Sequence, residues 1–166
     1  MNYLDTEKIT VEAVTEYYKG NMGIFYQYLH PEIVVISVGK GQILAGRKCV
    51  MENMKNGNNL GICYDVEEIT CKSYRIDGNS CHTVLDSTIL VCYPNQFIER
   101  VNQRVTVVWK YIREKDIQKE QVEAEGWYGL QLHISLGKET QQKPLMDAHF
   151  SVNTFAEIMH ENPIYE

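Results

Sequence analysis

The sequence lacks the features of several broad classes of protein. Its 16 lysines and arginines are outnumbered by 22 aspartates and glutamates, which gives a net charge of −6. Proteins that bind phosphate backbones need a basic surface, so we expect no direct nucleic-acid contact. No apolar run approaches the ~20 residues that cross a bilayer, and the start MNYLDTEK lacks the order of a signal peptide. We therefore expect a cytoplasmic protein that makes no membrane contact.

Motifs for common cofactors and nucleophiles are also missing. There is no G-x-S-x-G elbow, phosphate loop or G-x-G-x-x-G fingerprint. The five histidines form no H-x-H or H-x-x-x-H pair, so we predict no metal site, and we expect no cofactor. The five cysteines are odd in number and form no C-x-x-C pair, which favours reduced thiols over a disulfide framework.

What is present is typical of one soluble domain. The chain has 166 residues, of which 44% are hydrophobic and 23% charged, a composition far from that of disordered proteins. Segment 10–19 places apolar residues at helical spacing and is followed by Gly20, a typical helix stop. Asn21 can cap a second, shorter helix, which ends at His30-Pro31. We expect these two helices to form a hairpin.

The rest of the chain is mainly strand-like. A buried strand over 33–39 and a short strand in GKGQILAG precede a third helical segment, RKCVMENMK. From residue 62 the apolar period becomes two, and short turns make neighbouring strands antiparallel. The charged connection 114–126 is predicted to be a solvated hairpin extension or a short helix. The four long strands are predicted at 63–76, 81–93, 97–113 and 127–135.

The alternation within the last two strands predicts which side chains are buried. Val105, Val107, Trp109 and Tyr111 share one face. In the last strand, Tyr128, Leu130, Leu132 and Ile134 share one face, whereas Gln131, His133 and Ser135 share the other. Helices packed across such a sheet leave a natural pocket between the layers. We predict that the pocket is lined by Tyr17, Tyr18, Trp109, Gln131, His133 and Ser135.

Each of these side chains also has a purely structural interpretation. Tyr17 and Tyr18 are adjacent, so one can face the sheet and the other the rim, or both can be core aromatics. His133 can contact a ligand or a second subunit, or it can be a structural histidine. Trp109 and Trp127 are more typical of a core than of a ligand platform.

The order of elements resembles the nuclear transport factor 2-like superfamily, and specifically its SnoaL-like branch. The opening TVEAVTEYYKGN, the following GIFYQYLHPEIVVISVGKGQILAG with Gly46 before the third helix, and the closing WYGLQLHIS carry the resemblance. It covers residues 10–136 and implies an α+β fold. In that fold, a helix pair and a third helix pack on the concave face of a cone-shaped, curved antiparallel sheet. It also implies a pocket and, in most members, a homodimer formed through the open sheet face.

The resemblance implies no single function, because the superfamily includes isomerases, dehydratases, cyclases, ligand-binding domains and assembly modules. The enzymes carry a carboxylate base on the strand after the helix pair. That strand here reads IVVISV and has no Asp, Glu or His. We therefore favour a non-catalytic, dimeric domain that binds a small apolar ligand, and we expect it to be the N-terminal module of a bacterial regulator.

The alternative is a SnoaL-like isomerase, dehydratase or cyclase that acts on a small apolar substrate. Its acid, base or enolate-stabilising groups would come from Tyr18, Asp86, Glu99 and His133, which must converge on one point. A protein-binding adaptor that uses the open sheet face is a third hypothesis. In each case, residues 1–136 form the domain, and 137–166 form a C-terminal extension or linker with a short helix at 152–160.

Overall fold

The chain begins with two helices that form a hairpin. The structure, a computed structural model, describes residues 2–37, 41–58 and 61–138. Helix α1 spans Asp5–Tyr18 and helix α2 spans Met22–Gln27. Between them Gly20 has a φ of 79°, a left-handed conformation that glycine adopts without steric penalty. The predicted hairpin is confirmed, although α1 begins at Asp5 rather than at Thr10.

The remaining elements follow the predicted order closely. After α2 come β1 and β2, a third helix α3, and then four long strands. A single 3-10 turn at Glu114–Asp116 and helix α4 at Ile117–Glu120 interrupt the connection before the last strand. The bounds are β1 Leu29–Ile36, β2 Ile43–Ala45, α3 Arg47–Asn58, β3 Cys63–Arg75, β4 Ser80–Cys92, β5 Ile98–Ile112 and β6 Gly126–Lys138.

The six strands form one curved, unclosed sheet in the order β2-β1-β6-β5-β4-β3. Neighbouring strands are antiparallel except for β1 and β6, which are parallel. The parallel pair is the one departure from the predicted antiparallel sheet. It arises because the last strand of the meander returns beside the first strand of the chain.

The three helices α1–α3 and the sheet enclose the main core. Its sheet members come from alternate positions of β4 and β5, as the period of two predicts, and from Trp127 and Leu132 in β6. Leu85, Val105 and Val107 are almost completely buried, and Ala13, Val14 and Val50 cover them from the helices. This packing is the main force that holds the helices on the sheet.

Buried threonines add a hydrogen-bonded contact between α1 and the sheet. Thr10 and Thr83 are both 0% exposed, and their hydroxyl oxygens lie 2.8 Å apart. The indole N–H of Trp109 donates to both, at 3.1 and 2.9 Å. Thr6, one turn earlier, is also fully buried. A hydrophobic pattern counts threonine as polar, which is why the first turn of α1 was not predicted.

A register shift between β5 and β6 changes the predicted faces of the last strand. Trp109 pairs with Gly129 and Val108 pairs with Gln131, so Leu130 is left without a partner in β5. Such a bulge resets the alternation of side chains. Leu132 therefore faces the main core, whereas Tyr128 packs on the opposite face. The prediction that these two residues share a face was wrong.

The charged connection before β6 folds onto this opposite face. Ile117 and Val122 pack there against Ile112 and Tyr128 in a second, smaller core. The connection contains the predicted short helix, α4, although Ile117 and Val122 pack on the sheet rather than lying in solvent. The predicted C-terminal extension covers 137–166. All of it after Lys138, including the predicted helix at 152–160, lies outside the described residues. Within the described ranges, no helix is both long and apolar enough to cross a membrane.

Candidate functional site

A cavity of about 60 Å³ lies between the helices and the sheet. That volume is several times the ~10–15 Å³ that one water molecule requires. Its wall is mostly apolar, with side chains from α1, α2, α3 and the inner face of the sheet. The lining residues are Val14, Tyr17, Tyr18, Phe25, Val35, Ser37, Leu44, Val50, Asn53, Met54, Gln103, Val105, Leu132 and Ile134.

A chain of hydrogen bonds holds Gln103 and Tyr18, two of the polar residues in the wall. Gln103 is 3% exposed, and its Nε2 donates to the Tyr18 hydroxyl oxygen at 2.5 Å. The Ser87 hydroxyl donates to Oε1 of Gln103 at 3.3 Å. Because Tyr18 accepts this bond, its own O–H proton remains available to a hydrogen-bond acceptor in the cavity.

Two adjacent tyrosines both line the cavity. The Tyr17 ring packs edge-on against Tyr18, with centroids 4.9 Å apart, and at a tilt against Phe25, with centroids 5.4 Å apart. Burial, followed by a smaller effect of Tyr64, raises the pKa of Tyr17. Burial is also the largest cause of the raised pKa of Tyr18. Both phenols therefore stay protonated at neutral pH and act as hydrogen-bond donors rather than bases.

The first strand contributes no ionisable group to the cavity. Ile33 and Val35 are buried on its inner face, and Ser37, directly after the strand, is a polar residue in the wall. Among the described residues that line the cavity there is no carboxylate, imidazole or amine. The arrangement can donate and accept hydrogen bonds, and no lining group of this set titrates near neutral pH.

The predicted pocket residues divide between three places. Tyr17 and Tyr18 line the cavity, as expected. Trp109 lies deeper in the core, where its indole N–H is bound by Thr10 and Thr83. Gln131, His133 and Ser135 are exposed on the outer face of the sheet, so the structure does not bring them to the cavity. Strand alternation explains this, because Leu132 and Ile134 take the inward positions between them.

The candidate catalytic groups do not converge. Asp86 lies on the outer face, where the Arg104 guanidinium donates to its two oxygens at 2.7 and 3.1 Å. Glu99 is exposed near the start of β5 and accepts a hydrogen bond from the Tyr93 hydroxyl at 3.0 Å. His133 is exposed, and only Tyr18 reaches the cavity. Alternation places Asp86 on the outward side of β4, whereas Glu99 has the same parity as Gln103 but is exposed and does not line the cavity.

Gln103 is the polar cavity residue that the sequence interpretation missed. It stands two residues before Val105, at the inward position of the same alternation. A polar residue at a position that the period of two assigns to the core is a recognisable signal of a site. Extending the pattern from Val105 back to Gln103 would have found it.

Solved structures of several bacterial proteins share this architecture. A ketosteroid isomerase-like protein from Erwinia carotovora atroseptica superposes with a TM-score of 0.64 at 8% identity, covering 83% of this chain and 94% of that one. A nuclear transport factor 2-like superfamily protein from Salmonella enterica serovar Typhimurium superposes with a TM-score of 0.62 at 16% identity, covering 84% and 94%. The chain has the nuclear transport factor 2-like fold.

Comparisons of the sequence itself find no match. No protein-family profile matches the chain, and no curated protein matches it. An uncharacterised protein with a cystatin-like fold from Caulobacter vibrioides superposes with a TM-score of 0.62 at 14% identity, over 87% of this chain and 98% of that one. The resemblance drawn from the sequence is thus confirmed as a fold, the nuclear transport factor 2-like fold, which hosts isomerase-like proteins and proteins of unknown function.

The described residues contain no group of three potential ligands that could hold a metal ion.

Proposed function

We propose that this chain is a non-catalytic, dimeric domain that binds a small, largely apolar ligand in the cavity between its helices and its sheet. The composition of the cavity wall carries this proposal. The wall offers hydrogen-bond donors and acceptors on an apolar background, and its described residues include no carboxylate, imidazole or amine that could act as a base at neutral pH. Binding is the activity that such a wall supports best.

The ligand is defined by the size and the donors of the cavity. A space of about 60 Å³ accommodates a few non-hydrogen atoms, so the ligand is small unless side chains move. Its apolar part contacts Val14, Val105 and Leu132. Its polar atom accepts the O–H of Tyr18, which Gln103 holds in place through the 2.5 Å hydrogen bond. A carbonyl or ether oxygen satisfies this requirement.

Native mass spectrometry of the full chain as purified tests ligand binding. Val35→Phe adds an aromatic ring to the cavity wall, and Val34→Phe is its matched control because adjacent strand residues point to opposite faces. We expect a retained small molecule in the wild type and in Val34→Phe, and none in Val35→Phe. A retained molecule that is equally abundant in all three proteins would place binding elsewhere.

The homodimer is proposed to form through the outer face of the sheet. On that face the register aligns Ile36, His133, Thr106 and Val84 in one row across four strands. The row mixes apolar and polar side chains, as subunit interfaces do. His133 lies within this row and is exposed in the single chain, so the interface would give it a polar contact.

Light scattering coupled to size-exclusion chromatography tests the dimer. Thr106→Arg places a charge in the middle of the proposed interface, whereas Thr15→Arg makes the same change on α1. We expect a dimeric mass for the wild type and for Thr15→Arg, and a monomeric mass for Thr106→Arg. A monomeric wild type at micromolar concentration would refute the assembly, and it would leave the cavity proposal standing.

A further inference from the structure

A second concave surface lies outside the cavity, on the part of the molecule where α1 begins and β6 starts. This groove has a volume of about 550 Å³, within the size range of ligand sites. We call it the acidic aromatic groove. It shares no described lining residue with the cavity. Its principal lining residues are Asp5, Tyr26, Tyr28, Glu123, Glu125 and Trp127.

Trp127 lines the groove and carries an unpaired hydrogen-bond donor. The residue is 7% exposed, and its Nε1 is buried without a hydrogen-bond partner among the described residues. Its ring packs edge-on against Tyr111, with centroids 5.3 Å apart. Burying an unpaired N–H costs free energy, so such groups are rare in folded proteins and indicate a functional contact. The other indole, that of Trp109, is bonded to Thr10 and Thr83.

The groove is strongly negative. It carries the carboxylates of Asp5, Glu123 and Glu125, and no lysine or arginine is among its described lining residues. The Arg47 guanidinium lowers the pKa of Glu123, and the Tyr111 hydroxyl together with the Glu114 N–H lowers that of Glu125. Both groups are therefore ionised at neutral pH.

The chain itself shows which cation suits these surroundings. Arg47, at the rim, places its guanidinium carbon 4.0 Å from the centre of the Tyr26 ring. The same guanidinium donates to both oxygens of Glu123, at 2.8 and 3.2 Å. A guanidinium between an aromatic face and a carboxylate is a favourable arrangement. Within the described residues neither Asp5 nor Glu125 forms a salt bridge, although the charge of Arg113 acts on Glu125.

We propose that the acidic aromatic groove binds an arginine side chain of an extended peptide, with a peptide carbonyl oxygen as the acceptor for the Trp127 indole. The cation lies against the aromatic rings, with Asp5 and Glu125 as its counter-charges. The carbonyl supplies the hydrogen bond that Trp127 lacks. Reaching the buried N–H requires a small adjustment of rim side chains, of a kind common at interfaces.

Nuclear magnetic resonance provides a direct test, because the chain has two tryptophans and each gives one indole N–H signal. The probe is the capped peptide acetyl-Gly-Gly-Arg-Gly-Gly-amide, titrated into the full-length, ¹⁵N-labelled protein. We expect the Trp127 signal to shift saturably as its N–H gains an acceptor. The Trp109 signal is the internal control and should stay in place.

Two changes to the probe and one pair of variants test the parts of the proposal. A citrulline peptide keeps the shape but loses the charge, and it should bind at least about fivefold more weakly. Asp5→Asn should weaken the arginine peptide, whereas Asp65→Asn, at an exposed site on β3, should not. The cation n-butylguanidinium should bind without the indole shift.

Three results would overturn the inference. The first is that no saturable shift of the Trp127 signal occurs at millimolar peptide. The second is equal affinity for the arginine and citrulline peptides, which would remove the cation from the account. The third is an indole shift with n-butylguanidinium equal to that with the peptide, which would remove the carbonyl contact. None of these outcomes depends on the cavity, so the proposed function stands or fails separately.

Discussion

The buried threonines of α1 and β4 make a sharp prediction about stability. Thr10 donates its hydroxyl proton to the carbonyl oxygen of Thr6 at 2.6 Å. Since a carbonyl oxygen only accepts, the proton in the 2.8 Å contact between Thr10 and Thr83 comes from Thr83. The Trp109 N–H then donates to both oxygens. This assignment fixes which partner each variant leaves unsatisfied.

The variants Thr83→Val and Thr10→Val differ in whether a buried donor loses its acceptor. Thr83→Val removes an acceptor, but the Trp109 N–H keeps Thr10, so the cost is the net value of a hydrogen bond, about 1 kcal/mol. Thr10→Val leaves the buried Thr83 hydroxyl without its acceptor, which raises the cost to about 2–3 kcal/mol. Valine and threonine have similar shapes and helix propensities, so other effects are small.

Urea unfolding of both variants at one protein concentration measures the difference. We expect Thr10→Val to be less stable than Thr83→Val by about 1–2 kcal/mol. Thr70→Val, at an exposed position of β3, should have the same free energy of unfolding as the wild type. A Thr83→Val protein that is as unstable as Thr10→Val, or less stable, would refute the assignment of protons.

Further predictions concern a turn and the response to acid. Gly46 has a φ of 86° before α3, so Gly46→Ala should cost about 1–2 kcal/mol of unfolding free energy. Gly23→Ala, inside α2 with no atom within 4 Å of the added Cβ, should instead stabilise the protein by up to ~1 kcal/mol. Desolvation lowers the pKa of buried His30 from 6.5, against the opposing effect of Glu120. The neutral imidazole is therefore favoured in the folded protein, so stability is complete above about pH 6.5 and falls as the pH drops through the lower folded value. His30→Asn should lessen the fall in melting temperature between about pH 7.5 and 5.5, and an unchanged fall would contradict this role.

The sequence was sufficient for the fold because its patterns are local. Alternation in β4 and β5, the stop at Gly20 and the turn formers between strands each depend on a few neighbouring residues. The start of α1 was missed because Thr6 is polar. It is buried with its hydroxyl group hydrogen-bonded, which a search for apolar residues does not detect. The parallel pairing of β1 with β6 was missed because it joins residues far apart in the chain.

The site was less predictable for a physical reason. One bulge at Leu130 resets the alternation of β6, and the sequence pattern does not predict this bulge. Gln131, His133 and Ser135 were predicted to line the pocket, but the alternation that groups them on one side of the strand is equally compatible with an interface. Only the packing of the helices on the other face decides that these side chains lie away from the cavity. The inward position of Gln103, in contrast, could have been predicted from the alternation in β5.

The chemical fate of the bound molecule tests the central claim most directly. The small molecule released from purified protein would be identified by mass spectrometry, added back to ligand-free protein and followed over prolonged incubation. We predict one molecule per subunit, recovered unchanged, and weaker retention by Tyr18→Phe because the donor to the ligand is lost. Accumulation of a product that requires the protein and disappears in Tyr18→Phe would contradict the account and establish an enzyme.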